Sequence, residues 1–305
     1  MSKFKITILG TTAAVPTAQR AHSSLHISYK DEQESCFLFD CGEGTQRQLI
    51  TARVSMMKID NIFITHWHGD HCLGLPGLID TMGFEGREEP LTIYAPEVKK
   101  VKRLLSFCHS AGKFKINLRK VPIKGKKPVK IFKTERFEIS SIPVKHGMPA
   151  VAYAVIEHDK VSIDTEKIEK LNLPQNDKLY KKLKAKGKVR IKGVLVKLED
   201  VSLKKKGKKI VYSGDTEICD NLISLVENAD LLVQDCTYFD TQGTGKPYKH
   251  ASLPEIMEMS CNKHVKRTVL THISRKYHDV AWLKNLIKNY PGFDIAEDFM
   301  EISVT

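Results

Sequence analysis

Short apolar runs rich in β-branched and aromatic residues recur along the chain, and many of them alternate with polar positions. A period of two is typical of strands that bury one face. The pattern predicts strands at Lys5–Leu9, Ser24–Tyr29, Cys36–Phe39, Asn61–Thr65, Leu91–Tyr94, Phe137–Val144, Val151–Ile156, Lys209–Tyr212, Leu231–Gln234, Thr268–Thr271 and Phe299–Val304.

Helix signals lie between the later strands. Asp220 and Asp279 are expected to cap two helices, and residues 252–255 (Ser-Leu-Pro-Glu) form a capping box that opens a third. Strands early and late, with helices between them, predict an α/β fold in which two sheets pack together and helices cover the outside.

The segment from Glu157 to Lys208 departs from this pattern, because it is polar, rich in lysine and weakly periodic. We interpret it as a basic arm inserted into a single domain that spans residues 1–305. Of the net charge of +13, residues 178–209 carry +12, from fourteen Lys or Arg against two acidic residues. Such a concentration favours binding to a polyanion, either nucleic acid or a membrane surface, although a solvated loop remains the alternative.

Composition narrows the class of protein. Hydrophobic residues make up 41% and charged residues 28%, which is ordinary for a globular protein, and no apolar run approaches the length of a membrane span. The seven cysteines are scattered and form no C-x-x-C pair. We therefore expect reduced thiols in a cytoplasmic protein that does not associate with membranes.

The stretch Thr65-His66-Trp67-His68-Gly69-Asp70-His71 places four ligand-type side chains within six positions after an apolar strand. Side chains two apart on an extended chain point the same way, so His66 and His68 can reach one metal ion. Gly69 allows a sharp turn, after which Asp70 and His71 project together toward a second position.

Three further residues supply what this motif lacks. His146, Asp215 and His272 each come just after an apolar strand. The sequence predicts one metal held by His66, His68 and His146, a second held by Asp70, His71 and His272, and Asp215 as the bridge. Imidazole and carboxylate without thiolate favour two zinc ions, with manganese or iron as alternatives. Two metals about 3.5–4 Å apart would polarise a phosphoryl oxygen.

The stretch His66-Trp67-His68-Gly69-Asp70-His71 resembles the signature of the metallo-β-lactamase superfamily, which implies an αββα sandwich. Residues 39–48 (Phe-Asp-Cys-Gly-Glu-Gly-Thr-Gln-Arg-Gln) and 74–78 (Gly-Leu-Pro-Gly-Leu) more narrowly resemble the ribonuclease Z family. This resemblance, which runs nearly end to end, implies an endoribonuclease that removes the 3′ trailer of precursor tRNA. It also implies a homodimer in which the arm of one subunit binds tRNA held at the site of the other.

The same resemblance implies roles for individual residues. Asp70, together with Asp215, would orient the attacking water, and His250, held by Asp235, would donate a proton to the departing 3′ oxygen of the tRNA. The products would be a tRNA 3′-hydroxyl and a trailer 5′-phosphate. Bacterial members commonly carry Glu where this chain has Asp235, whose carboxylate reaches about one methylene less.

Two other functions are compatible with parts of the sequence. A small-molecule hydrolase or phosphodiesterase of the same superfamily would share the metal ligands but would have no use for the basic arm. A relative that binds RNA without cutting it would retain the arm, but it would have no need of seven metal ligands.

Overall fold

The computed structural model describes residues 3–31, 34–109, 112–174, 176–191, 193–239 and 248–305. The chain divides into two compact units. The larger unit comprises Met1–Thr134, Glu138–Ile156 and Lys208–Thr305, and the smaller comprises Glu135–Phe137 and Glu157–Gly207.

The first sheet of the larger unit has seven strands in the order β18-β1-β2-β3-β4-β5-β6. The run from β3 to β6 is parallel, whereas β18, β1, β2 and β3 pair antiparallel. The strands are β1 (Lys3–Gly10), β2 (Ser24–Lys30), β3 (Glu34–Phe39), β4 (Ile59–Phe63), β5 (Leu91–Ala95), β6 (Ile116–Lys120) and β18 (Glu301–Val304).

The second sheet also has seven strands, in the order β17-β16-β15-β14-β9-β8-β7. Its parallel part runs from β14 to β17, and β14 pairs antiparallel with β9. The strands are β7 (Val129–Lys133), β8 (Phe137–Val144), β9 (Ala150–Glu157), β14 (Lys209–Tyr212), β15 (Leu231–Asp235), β16 (Thr268–Thr271) and β17 (Phe293–Ile295).

Aromatic side chains fill the space between the two sheets. Phe39 and Phe63 of the first sheet stack with centroids 4.9 Å apart, and both meet the edge of Tyr153 from the second sheet at 5.7 and 5.6 Å. The Tyr153 hydroxyl donates to the carbonyl of Ile64 at 2.7 Å, so its one polar atom is satisfied inside the core. The packing fixes the relative position of β4 and β9.

Helices cover the outer face of each sheet. In the first half, α1 (Thr45–Thr51), α2 (Gly69–Cys72), α3 (Leu75–Phe84) and α4 (Val98–Leu105) precede or follow the parallel strands, and buried side chains of α1, α3 and α4 join one apolar cluster with the first sheet. On the second sheet, α7 (Asp220–Val226), α8 (Leu253–Asn262) and α9 (Val280–Ile287) do the same. The predicted α/β fold with two packed sheets and external helices is confirmed.

The smaller unit has a hydrophobic cluster of its own. It contains α5 (Thr165–Lys170), α6 (Asp177–Lys186) and the strand pairs β10 (Lys160–Ile163) with β13 (Ser202–Lys205) and β11 (Lys188–Ile191) with β12 (Val194–Lys197). Its buried side chains are Ile168, Tyr180, Leu183, Ile191, Val196 and Val201. Only two of the ten residues of α6, Tyr180 and Leu183, are buried, which explains why the sequence showed little periodicity here.

Two details differ from the sequence-based expectations. Asp220 is the first residue of α7 and caps nothing, since Cys219 occupies the N-cap position without a side-chain hydrogen bond. Strands β6, β7, β10–β13 and β17 were not predicted, and in β6 and β7 lysines and an arginine obscure the alternation. The other two helix starts are confirmed by the capping box at Ser252 and by the bond from Trp282 N to Asp279.

None of the helices in the described part of the chain combines the length and the apolarity needed to cross a lipid bilayer.

A buried histidine in β2 makes the fold sensitive to acid. His26 is 5% exposed, and neither ring nitrogen has a hydrogen-bond partner among the described residues. Burial lowers the pKa of His26 to about 4. As the pH falls below about 6.5, the unfolded chain binds a proton that the folded chain does not, so the free energy of unfolding falls.

We expect His26 to remove about 2 kcal/mol of stability between pH 7.5 and pH 5. A His26→Leu variant should lose less stability over this range than wild type, as measured by urea unfolding at both pH values. His278→Gln, at an exposed position, serves as the control and should behave like wild type. An equally steep loss in His26→Leu would contradict the role of His26.

Candidate metal centre

The first histidines of the candidate site follow directly from the end of β4. His66 is fully buried beyond the strand, and His68 is the residue before α2, the short helix that carries Asp70 and His71. Gly42 lies beneath this turn, where a Cβ atom would come within 2.3 Å of the Asp70 carbonyl oxygen. Only glycine allows this approach, so the turn and the strand end are held together by the backbone.

His146, Asp215 and His272 come from three strands of the second sheet. Each follows its strand, β8, β14 and β16 respectively, by one to three residues, and each is buried. Gly214 precedes Asp215 with a φ of +56°, a left-handed conformation that turns the chain sharply at this point. The strand ends of the two sheets therefore deliver their ligand-type side chains to one place.

One group consists of His66, His68, His146 and Asp215. The Nδ1 atom of His68 lies 3.0 Å from the Nε2 atoms of both His66 and His146. Asp215 Oδ2 lies 3.5 Å from His66 Nε2. Donor atoms of these four residues all lie within 4.8 Å of one another, close enough to hold a metal ion.

A second group consists of Asp70, His71 and His272. Asp70 Oδ2 lies 3.3 Å from His272 Nε2 and 3.7 Å from His71 Nε2. Asp215 also reaches both imidazoles, at 3.2 Å from each Nε2 atom. Asp215 therefore lies within reach of both groups, and its role as a bridge between two metals stays a prediction.

Asp40 holds the imidazole of His71 from the opposite side. Its Oδ2 atom lies 2.7 Å from His71 Nδ1 and accepts a hydrogen bond from Tyr212 Oη at 2.9 Å, while the Thr65 amide donates to Oδ1 at 2.7 Å. A carboxylate behind a ligand histidine fixes the ring and leaves Nε2 directed at the metal position.

Other ring nitrogens are held in the same way. Thr65 Oγ1 lies 2.9 Å from His66 Nδ1, and Thr237 Oγ1 lies 2.8 Å from His272 Nδ1. With Nδ1 engaged, each ring presents Nε2 to the cluster. These contacts fix the orientation of the imidazoles before any ligand arrives.

Neighbouring carboxylates and imidazoles inside the cluster shift one another's pKa values. Burial raises the pKa of Asp215, but the imidazoles of His272, His71 and His66 outweigh burial and hold this pKa well below its usual range. Burial lowers the pKa of His71, and the carboxylates of Asp215 and Asp40 overcome that effect and raise it. Ionised carboxylates at this depth require cationic partners.

The donor set fits divalent metal ions. His71 Nε2 and Asp215 Oδ1 are buried, lie 3.2 Å apart and have no hydrogen-bond partner among the residues that the structure describes. Two such atoms directed at one point are what a metal ligand pair would provide. The groups contain imidazole and carboxylate but no thiolate, and burial raises the pKa of neighbouring Cys72 to about 12, which keeps that thiol protonated.

His250 and Asp235 form a pair beside the cluster. Asp235 Oδ2 lies 2.6 Å from His250 Nδ1, so the shorter acid still reaches the imidazole. The ring of His250 lies 5.1 Å from that of His146 and 5.2 Å from that of His272, centroid to centroid. Burial lowers the pKa of His250, and the Asp235 carboxylate overcomes this and raises it.

All the predicted site residues therefore lie in one connected cluster: His66, His68, Asp70, His71, His146, Asp215, Asp235, His250 and His272. Asp40, Thr65 and Thr237 were not predicted to take part in the site. For Asp40 a signal was available, because it directly follows β3 just as Asp215 closely follows β14. Thr65 and Thr237 carried no signal, since their contribution depends on where a neighbouring ring points.

Comparisons with known proteins show which families the chain matches. Residues 4–187 match a family model described as "Anti-Pycsar protein Apyc1", so this part of the chain falls within that family. A protein named ribonuclease Z from Methanococcus maripaludis strain C6 is 38% identical over 98% of this chain and 99% of its own length. Ribonuclease Z from Pyrococcus abyssi is 37% identical over 98% of this chain and 96% of its own.

Solved structures agree with these relatives. Human tRNase Z, short form, superposes with a TM-score of 0.69 at 26% identity and covers 99% of both chains. The metallo-β-lactamase fold protein YhfI from Bacillus subtilis has a TM-score of 0.68 at 17% identity over the whole of both chains, a likeness of fold alone. The chain belongs to the ribonuclease Z family and has the metallo-β-lactamase fold.

Proposed function

We propose that this protein is a metal-dependent endoribonuclease that removes the 3′ trailer of precursor tRNA. One observation carries the proposal. Two groups of donor atoms, joined through Asp215, occur in a chain that is 35–40% identical to ribonuclease Z proteins over nearly its full length. The fold alone would not assign the substrate, because it supports several kinds of hydrolysis.

The ligands of two divalent ions are part of the proposal. His66, His68 and His146 would hold one, Asp70, His71 and His272 the other, and Asp215 both. Zinc suits this set of nitrogen and oxygen donors, with manganese as the alternative. Ions bound here would stabilise the negative charge on the phosphoryl oxygens and lower the pKa of water.

The chain's own groups complete the reaction. Asp70 Oδ2 also accepts from the Ala14 amide at 2.8 Å, which fixes the carboxylate for orienting the attacking water together with Asp215. His250, positioned by Asp235, donates a proton to the 3′ oxygen as it leaves. Hydrolysis in this direction leaves a 3′-hydroxyl on the tRNA and a 5′-phosphate on the trailer.

The smaller unit is proposed as the part that binds tRNA. Its helix α6 buries Tyr180 and Leu183, while Lys178, Lys181, Lys182 and other lysines of the helix are exposed. Asn176 caps the helix start through Leu179 N, and Gly187 ends the helix with a φ of 72°. A rigid row of lysines would contact phosphates without reading sequence, as an enzyme acting on every tRNA requires.

We further propose a homodimer, in which the arm of one subunit binds tRNA held at the other's site, and a cytoplasmic location. The family resemblance supports the homodimer, and the state of the cysteines supports the location. All seven cysteines are free, and five of them are buried.

We expect a precursor tRNA with a 3′ trailer to be cut once at the trailer junction in the presence of zinc or manganese. His68→Ala should reduce the rate by more than about 100-fold, the upper range for changes that only touch a ligand's neighbour. A chelator should abolish cleavage, and added metal should restore it. Gel analysis of end-labelled precursor measures all three.

His278→Ala, at an exposed position, is the matched control and should cut normally. If wild type spares the precursor but hydrolyses bis(p-nitrophenyl) phosphate, the metal centre works and the substrate proposal is wrong. The small-molecule hydrolase would then be the better description.

The proton donor can be tested through the leaving group. We expect His250→Ala to slow cleavage by about 10²–10⁴-fold, the usual contribution of a general acid. A precursor with sulfur in place of the 3′ oxygen at the scissile bond should recover most of this loss, because a thiolate leaves without a proton. An equal loss on both substrates would show that His250 is structural.

Subunit mixing tests the arm and the dimer together. A variant lacking residues 157–207 and the His68→Ala variant should each be nearly inactive on precursor tRNA. After unfolding and refolding together, they should regain activity, since the intact site of one subunit is served by the arm of the other. If the mixture stays inactive while light scattering shows mixed dimers, the arm acts within its own subunit.

A further inference from the structure

A second basic segment lies outside the arm. Residues 113–133 contain nine Lys or Arg and no acidic residue. Acidic residues elsewhere offset this charge, so the chain outside residues 178–209 is nearly neutral in total. The segment includes β6, the loop that follows it and β7, which are the last strands of the first and second sheets.

The two sheet edges form a groove at this place. Its volume is about 710 Å³, and its lining includes Arg119, Lys120, Lys130, Pro122 and the half-buried Phe132. Basic groups beside apolar and aromatic surface are typical of sites for single-stranded nucleic acid, where the phosphates meet cations and the bases meet carbon. A duplex would not present its bases to such a groove.

Most of the lysines at the groove and in its loop are exposed and have no ion-pair partner among the described residues. Lys120, Lys124, Lys126 and Lys127 are all exposed. Lys130 pairs with Glu138, whereas no carboxylate of the described residues pairs with Lys120, Lys124 or Lys126. Several like charges within eight positions of the chain repel one another, and a polyanion would relieve the repulsion.

One side chain places this loop near the metal centre. The Asn221 amide Nδ2 donates to the carbonyl of Gly125 in the loop at 3.0 Å and to that of Pro143 at 2.8 Å. Pro143 lies three residues before His146, a span of roughly 10 Å at most for extended chain. The basic loop is therefore within reach of nucleotides close to the scissile bond.

We propose that the groove between β6 and β7, with its basic loop, binds the single-stranded 3′ trailer of the RNA substrate. This rests on the proposed function, and it assigns to the larger unit a contact separate from the arm. The trailer is single-stranded, begins at the cleaved bond and is long enough to follow a groove that leads away from it. Lysines at sheet edges can also serve only to prevent edge-to-edge association, which is the competing explanation.

The first test compares trailers of about two and about fifteen nucleotides. In Lys120→Gln/Lys124→Gln/Lys126→Gln we expect KM for the long trailer to rise about tenfold more than KM for the short one. The slope of log KM against log salt for the long trailer should fall by about 2, since each contact with single-stranded RNA contributes about 0.7. Lys99→Gln/Lys102→Gln/Arg103→Gln, which removes three exposed charges from α4, should show no dependence on trailer length.

Equal KM increases for both trailers, or no increase, would overturn this proposal and leave the proposed function intact. Wild type that cuts neither precursor would overturn both.

A second measurement does not depend on the folding of the triple variant. His68→Ala enzyme is bound to precursor carrying 4-thiouridine in the trailer, irradiated and digested. Crosslinks to peptides from residues 113–133 are the expected result. Crosslinks confined to other peptides would overturn the proposal and leave protection against edge pairing as the role of these lysines.

Discussion

Burial of Asp215 among three imidazoles is the constraint on which the rest of this structure depends. The carboxylate is 2% exposed and lies within about 3.5 Å of His66, His71 and His272. A buried carboxylate is tolerable only with cationic or strongly polar partners around it. Because the partners come from both sheets, the sandwich must close in one register for the charge to be satisfied.

Hydrogen bonds from the core between the sheets reach the residues beside the candidate metal ligands. Tyr212 of β14 donates to Asp40, which follows β3, and Tyr153 of β9 donates to the carbonyl of Ile64. Both bonds cross the aromatic layer between the sheets. The bond from Tyr212 reaches the carboxylate that holds His71, and the bond from Tyr153 ends two residues before His66. The packing of the core therefore helps to set the orientation of the imidazole rings. A change in how the sheets pack would shift the ring nitrogens of the candidate metal centre.

Acidic and basic side chains occupy different parts of the molecule. The candidate metal centre collects carboxylates and imidazoles in the interior, while most of the described lysines of the arm and of the β6–β7 edge are exposed. Positive surface on both units suits a substrate longer than one site, in which a folded tRNA body and a single-stranded trailer are held apart from the bond that is cut. Each contact with phosphate adds affinity without demanding a particular sequence.

Periodicity and spacing predicted much of this protein. The apolar strands, the helix starts at Ser252 and Asp279 and the grouping of His66 with His68 follow from local rules, because a strand alternates and side chains two apart share a face. Ligand-type residues just past apolar strands also pointed to His146, Asp215 and His272, since parallel strands bring their ends to one edge.

Other features depended on residues far apart in sequence. The sequence could not show that Asp40 supports His71, that Thr237 orients His272, or that Asn221 ties the basic loop to β8, because these bonds join segments that only folding brings together. It also hid β6 and β7, whose edge positions let lysines occupy strands that would otherwise alternate. The sequence by itself determined which side chains were available and which strands could carry them. Tertiary structure decided their partners, because a hydrogen bond requires two atoms about 3 Å apart in space, whatever their separation along the chain.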